Sequence, residues 1–409
     1  MMKLISEIVA RHEELVEWRR DIHAHPELAF DEVRTAGFVA GQLESYGIVV
    51  CRDIGKTGVV GTLKVGSSDR AIGLRADMDA LPMKELNTFT HQSTHPGRMH
   101  GCGHDGHTVM LLAAARYLAQ RKNFNGTVQF IFQPAEEANA KGSGAKAMIA
   151  DGLFERFPVD CVFAMHNAPG LKAGAIATRP GAIMASMDLF EVTITGRGTH
   201  GAFPQSGIDP VVIAAAMISA WQTIVSRTIS PQESAVISAT SVNTEDSFNV
   251  IPNTAVIKGS IRTLSNDVQT QIKARFYTLA KHIAEGFGAS VTIDYRQEYP
   301  VTINDEQQTR FACEVSKSIV GEDQVISDAD PVMGSEDFAA MLEVKPGCYL
   351  WLGNSEAKGN DSQIKSHTRL GPLTVNDPCM VHEPTYDFND KIIPVGGSVF
   401  VGLVEKYLS

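Results

Sequence analysis

What this chain has little of narrows it first. Basic residues are in deficit: 36 Lys and Arg stand against 47 Asp and Glu, a formal net charge of -11. That argues against a nucleic-acid binder, which needs basic patches to neutralise phosphates. Cysteine is scarce, with six in 409 residues. Cys51, Cys102, Cys161, Cys313, Cys348 and Cys379 lie far apart, so they make no disulfide framework, and reduced thiols in a cytoplasm are expected. No apolar run approaches the ~18–20 residues that span a bilayer. The first twenty residues break their apolar positions (Ile5, Val9, Leu15, Val16) with charges, unlike a signal peptide. No membrane partner is expected, and no internal repeat or low-complexity segment stands out. What remains is an ordinary globular composition, 44% hydrophobic and 20% charged, with length for two domains.

Against this plain background one stretch is dense with chemistry: His100-Gly101-Cys102-Gly103-His104-Asp105-Gly106-His107. Every non-glycine side chain in it can bind a metal or hold a residue that does. The glycines let the backbone fold tightly enough to aim several side chains at one point. The apolar run Val109–Ala115 follows and reads as a helix, which places the cluster at a helix N-terminus. A polar surface loop would use the same residue types, so the rest of the chain has to decide.

Short apolar runs bounded by glycine or charge read as buried strands at 59–65, 71–76, 126–132 and 161–165. Ligands bind at the carboxyl ends of strands in open α/β sheets. Asp79 follows the second strand, Glu136 and Glu137 the third, and His166 the fourth. A turn aspartate explains Asp79 equally well when it is taken alone. Two adjacent carboxylates are costly where partly buried, and a nearby cation offsets that cost. His23 and His25, after a helix over 4–20, are ligands by type and turn residues by position. A second helix is expected over 31–46.

From about Met187 the texture changes. Strands at 188–195, 234–243, 253–263 and 290–296 and helices at 208–227 and 268–286 give the order βαββαβ. That order suggests a ferredoxin-like α/β sandwich inserted into the first domain. The expected organisation is a catalytic α/β domain over 1–186 and 297–409, with a mixed central sheet flanked by helices, and a lid over 187–296. Residues 353–378 read as a polar, irregular loop, functional or mobile.

The donors Cys102, His104, Glu137, His166 and His382 outnumber what one catalytic zinc uses. A pair of divalent metals sharing a bridging ligand would use them all, and zinc, manganese, cobalt and nickel each suit the set. If strand alternation separates Glu136 from Glu137, one binds metal while the other serves as general base in a hydrolysis. His200 suits an oxyanion donor, and Asn249 and Arg262 suit a substrate carboxylate, although each also fits a plain surface position.

Taken in order, DIHAHPELAFDE (21–32), LRADMDALP (74–82), MHGCGHDGHT (99–108), FQPAEE (132–137), MHN (165–167), GRGTHGAFP (196–204), NVIP (249–252), MGSEDF (333–338) and VHEPTYDFND (381–390) resemble the M20 metallopeptidases. The likeness is to the amidohydrolase branch that includes hippurate hydrolases, N-acyl-amino-acid deacylases and indoleacetyl-amino-acid hydrolases. The resemblance implies two metals on Cys102, His104, Glu137, His166 and His382, with Glu136 as base. It implies that Asp79 orients a ligating histidine and that Cys102 replaces the bridging aspartate of many relatives. It also implies a lid that carries His200 and often makes a homodimer, with Asn249 and Arg262 at substrate-binding positions. Gly101 stands where many members have alanine. The expected activity is hydrolysis of N-acyl amino acids. A dipeptidase or carboxypeptidase on the same metals is the first alternative, and a catalytically dead metal-binding module is the second.

Overall fold

The structure is a computed structural model. It describes residues 2–245, 247–356, 370–371, 373–375 and 379–409. Most of the 353–378 loop therefore lies outside the described residues. The chain divides into two compact units: residues 1–183, 302–332 and 337–409, and residues 184–301 with 333–336.

The first unit is built on an eight-stranded sheet. Its order is Val49–Ile54, Gly58–Val65, Gly126–Gln133, Ala71–Asp77, Cys161–Lys172, Gly347–Ser355, Ile176–Ala177 and Val325–Ile326. Ala71–Asp77 runs parallel to both its neighbours, while Gly58–Val65 is antiparallel to the strand on each side of it, so the sheet is mixed. Every residue of Ala71–Asp77 is buried, as expected of a strand covered on both faces. Helix His104–Arg121 is buried along most of its length, and its apolar positions share one core with helix Ile393–Tyr407 and the sheet.

Three local expectations change. The apolar run at 161–165 extends to Lys172, because Gly347–Ser355 pairs alongside it as far as Ser355, so His166 lies inside a strand. The 126–132 strand ends at Gln133, and Glu136 opens a 3₁₀ turn, Glu136–Lys141. Strand alternation therefore does not separate the two glutamates. The break follows from Pro134, which has no amide proton to donate, and from Ala135, whose φ is +52°. The helix expected over 4–20 is two helices, Ser6–Val9 and His12–Ala24.

The second unit carries the βαββαβ order on a four-stranded antiparallel sheet. In space the strands run Ala235–Thr244, Thr254–Thr263, Met187–Thr195, Ser290–Tyr299. Helices Pro210–Arg227 and Asn266–Gly286 share one core with it through Trp221, Met217, Phe276 and Ile272. Among the described residues Pro210–Arg227 is the one helix long and apolar enough by composition to cross a membrane, contrary to the expectation that no run reaches that length. Here Ile213, Met217, Trp221 and Ile224 face the core of their own unit.

Candidate metal centre

Three features of the first unit bring distant residues together. Strand Ala71–Asp77 carries the chain to Asp79. The 134–137 corner follows its parallel neighbour. The glycine-rich loop delivers Cys102 and then starts a helix at His104. Gly103 makes that start possible: its φ is +90°, and a Cβ there would lie 2.2 Å from Asn167 Oδ1.

The ligand-type atoms fall into connected groups. Cys102, Glu137 and His382 form one. His104, Glu136 and Glu137 form the next, and His104, His166, Asp77 and His107 the third, with one atom from each residue within 4.8 Å of the others in its group. Glu137 and His104 each belong to two groups, so all five residues expected as ligands, and Glu136, occupy one neighbourhood.

Hydrogen bonds fix the imidazoles. His104 Nδ1 lies 2.9 Å from the Asp79 carbonyl and 3.2 Å from its Oδ1. His166 Nδ1 lies 2.8 Å from the Asn167 carbonyl. Both rings therefore keep a proton on Nδ1 and turn Nε2 toward the neighbouring ligand-type groups. His104 Nε2 is buried with no hydrogen-bond partner. His166 Nε2 is 3.4 Å from Cys102 Sγ. His382 Nε2 pairs with Glu137 Oε1 at 2.8 Å, from a left-handed backbone with φ +67°. Such conformations in non-glycine residues concentrate at functional sites.

The electrostatics point the same way. Burial raises the Cys102 thiol, and Glu137, Glu136 and Asp77 push it further, well above the usual thiol value. Burial alone would lower His104, but Asp77, Asp79 and Glu137 outweigh it and lift the ring to about 10. Burial, then neighbouring His107, holds His166 well below the ordinary imidazole value. The Asp77, Asp79 and Glu137 carboxylates crowd a buried imidazole whose Nε2 has no hydrogen-bond partner. This donor set fits divalent cations, which would convert the thiol to thiolate and relieve the repulsion.

Other expected residues lie elsewhere. His200, Asn249 and Arg262 belong to the second unit. Strand Thr199–His200 pairs with Val250–Ile251, so exposed His200 and exposed Asn249 are neighbours. His200 Nδ1 accepts the Ala202 amide at 3.0 Å, leaving Nε2–H as a donor. Arg262 reaches the Met333 carbonyl at 3.0 Å and Ser335 Oγ at 3.3 Å. His23 is buried between Asp105 and Glu85, and His25 caps its helix; neither joins the ligand groups.

The sequence places Asp77 with Asp79 at a strand end and His107 in the dense cluster, but it gives neither Asp77 nor His107 a partner and Asn167 no role. Asp77 Oδ1 lies 2.6 Å from His107 Nδ1, and the Asn167 amide donates to His107 Nε2 at 3.0 Å. His107 thus ties the end of one strand to the residue after His166. A signal was present: Asp77 closes a strand that has no exposed position, and a buried carboxylate needs partners.

Comparison with known proteins agrees with this geometry. Residues 73–373 match the family model described as Peptidase family M20/M25/M40. The chain is 42% identical to hippurate hydrolase of Campylobacter jejuni over 407 residues, covering 100% of both chains. It is 35% identical to IAA-amino acid hydrolase ILR1-like 5 of Arabidopsis thaliana, over 98% of this chain and 89% of that one. The solved structure of Bacillus subtilis YXEP, described as a dinuclear metal-binding peptidase from the M20 family, superposes with a TM-score of 0.80 at 32% identity, over 98% of this chain and 99% of that one. A mostly buried set of cation-seeking donors, with His382 at its exposed rim, in a chain aligned almost end to end with such relatives, has one family reading: the chain belongs to the peptidase family M20/M25/M40.

Proposed function

We propose that this M20 amidohydrolase cleaves the amide bond of N-acyl amino acids, releasing a carboxylate and a free amino acid. The observation that carries the reading is the convergence of Cys102, His104, Glu137, His166 and His382 in one neighbourhood, with His104 Nε2 buried and without a hydrogen-bond partner. These five would hold two divalent ions. When bound, the ions would polarise the scissile carbonyl and make a water acidic enough to ionise near neutrality.

The protein's own residues supply the rest. Glu136, next to Glu137 in sequence and only 7% exposed, takes the water's proton and returns it to the leaving amine. Asp79 keeps His104 turned with Nε2 inward. In the second unit, read as a lid, His200 offers Nε2–H to the developing oxyanion. Arg262 holds the carboxylate of the amino-acid half. Asn249, at the other end of strand Thr254–Thr263 and beside His200, reaches the substrate only as His200 does, from a second copy of the chain. The hippurate and indoleacetyl-amino-acid hydrolases among the relatives support an acyl group and an amino acid as the two halves.

A homodimer through the second unit belongs to the same reading. Its support is exposed apolar surface: Val211 and Val212 on helix Pro210–Arg227, and Val236 and Val242 on the edge strand Ala235–Thr244. Sedimentation of the full chain tests it, and a monomer at all concentrations would remove it.

The deciding experiment is a substrate panel after chelation, with zinc, manganese, cobalt and nickel each added back. Benzoyl, acetyl and indoleacetyl amino acids should be cleaved and lose turnover on chelation. YXEP's description as a peptidase earns dipeptides a place in the same panel. A clear preference for dipeptides would move the assignment to a dipeptidase, and metal-loaded protein inert toward every amide would remove the enzyme reading.

A further inference from the structure

The corner that presents Glu136 is held from behind by a carboxylate that plays no part in the chemistry described above. Glu32 is wholly buried. Its Oε1 accepts the Phe30 amide at 2.9 Å and the Ala135 amide at 2.8 Å, and its Oε2 accepts the Thr57 hydroxyl. Ala135 sits at φ +52°, a conformation an alanine keeps only when its surroundings impose it. On the far side of the corner the Glu137 amide donates to Asp79 Oδ2 at 2.8 Å. The peptide amides on either side of Glu136 are thus each anchored on a buried carboxylate. The Ala135 carbonyl in turn accepts the Gly144 amide at 3.0 Å.

We infer that Glu32 is a positioning residue that clamps the Ala135 amide and so fixes where the Glu136 carboxylate stands. The inference rests on Glu136 being the base and Glu137 a ligand. A carboxylate suits the task because all three of its partners are donors. An amide side chain preserves the clamp: its single oxygen accepts both backbone N–H groups, and the Thr57 hydroxyl turns to accept from its nitrogen. Removing the side chain leaves the Ala135 N–H buried and unpaired, and the left-handed turn keeps only its Gly144 and Asp79 contacts. Displacing a proton-transfer group by a fraction of an ångström slows the chemical step without weakening substrate binding.

The test compares Glu32→Ala, Glu32→Gln and Glu32→Asp in the full chain, measuring metal content, kcat and KM on N-benzoylglycine, and hydrogen exchange of the 130–140 peptide in chelated protein. Glu32→Ala should bind two metals, keep KM within about threefold and lose at least ~tenfold in kcat per metal-loaded chain. Glu32→Gln should recover kcat to within about threefold. Glu32→Asp keeps the charge but falls one methylene short, so it should behave like the alanine variant, and it serves if that variant fails to fold. The 130–140 peptide should exchange faster in the alanine and aspartate variants and at the wild-type rate in Glu32→Gln. Wild-type kcat in Glu32→Ala or Glu32→Asp, or a Glu32→Gln as slow as the alanine variant, would overturn the clamp. A wild type inert toward all amides would sink the reading of the site, while the exchange difference would still report the clamp.

Discussion

Asp79 reaches two separate parts of the metal centre at once: its backbone carbonyl and Oδ1 face His104 Nδ1 at 2.9 and 3.2 Å, while its Oδ2 takes the Glu137 amide at 2.8 Å. One residue thereby sets the tautomer of one proposed ligand and the backbone of another. Asp79→Ala should leave the fold intact and weaken metal binding by roughly 10–100-fold, the usual cost of losing such a partner. Competition against a chromophoric chelator measures this. Unchanged affinity would show that the Asp79 carbonyl alone suffices.

Glu136→Gln should retain both metals and lose on the order of 10²–10⁴ in kcat, the usual contribution of a general base. Metal analysis and steady-state kinetics on the same sample read both quantities. Near-normal turnover would remove Glu136 from the role.

Arg262→Ala should raise KM for N-acyl amino acids by roughly tenfold or more, since a charge-assisted bond to a carboxylate contributes about 1.5–3 kcal/mol. The same variant should distinguish poorly between a substrate and its amino-acid amide, which lacks the carboxylate. An unchanged preference for the free acid would place carboxylate recognition elsewhere.

Stability should depend on pH through His23, which is fully buried between Asp105 at 2.9 Å and Glu85 at 3.2 Å. Burial alone would lower its pKa, but the two carboxylates outweigh burial and the opposing Arg19 charge, and raise it to about 9. The charged ring favours the folded chain. That contribution is complete below the unfolded value near 6.5 and is lost as pH rises through about 9. Chelated wild type should therefore lose a few kcal/mol between pH 6 and 10, and His23→Gln should lose less over that window, the remainder coming from His104, whose ring is also raised, to about 10. Parallel denaturation curves for the two proteins at all pH values would refute this.

The proposed ligands were legible because metal chemistry uses few residue types: Cys102, His104 and Glu137 stand out by type and spacing. Strand ends were legible wherever an apolar run met a polar residue. The same logic misplaced Glu136, because Pro134 and the left-handed Ala135 break the strand before it, and no periodicity encodes a positive φ in alanine. The role of Glu32 and the partner of Asp77 stayed unread for a different reason. A lone carboxylate looks alike at a surface and in a core until its partners are known, and those partners, Ala135 and His107, lie 103 and 30 residues away.

The sequence by itself determined which donors exist, the alternation of apolar strand and polar end, and the interruption by a βαββαβ segment, because these follow from composition and short-range periodicity. Only the tertiary structure decided which nitrogen of each histidine faces inward, which glutamate amide rests on which carboxylate, and that His107 ties strands while His104 faces the ligand cluster. Those assignments depend on hydrogen bonds between segments brought together by the sheet, and a hydrogen bond across such a distance has no trace in the local order of residues.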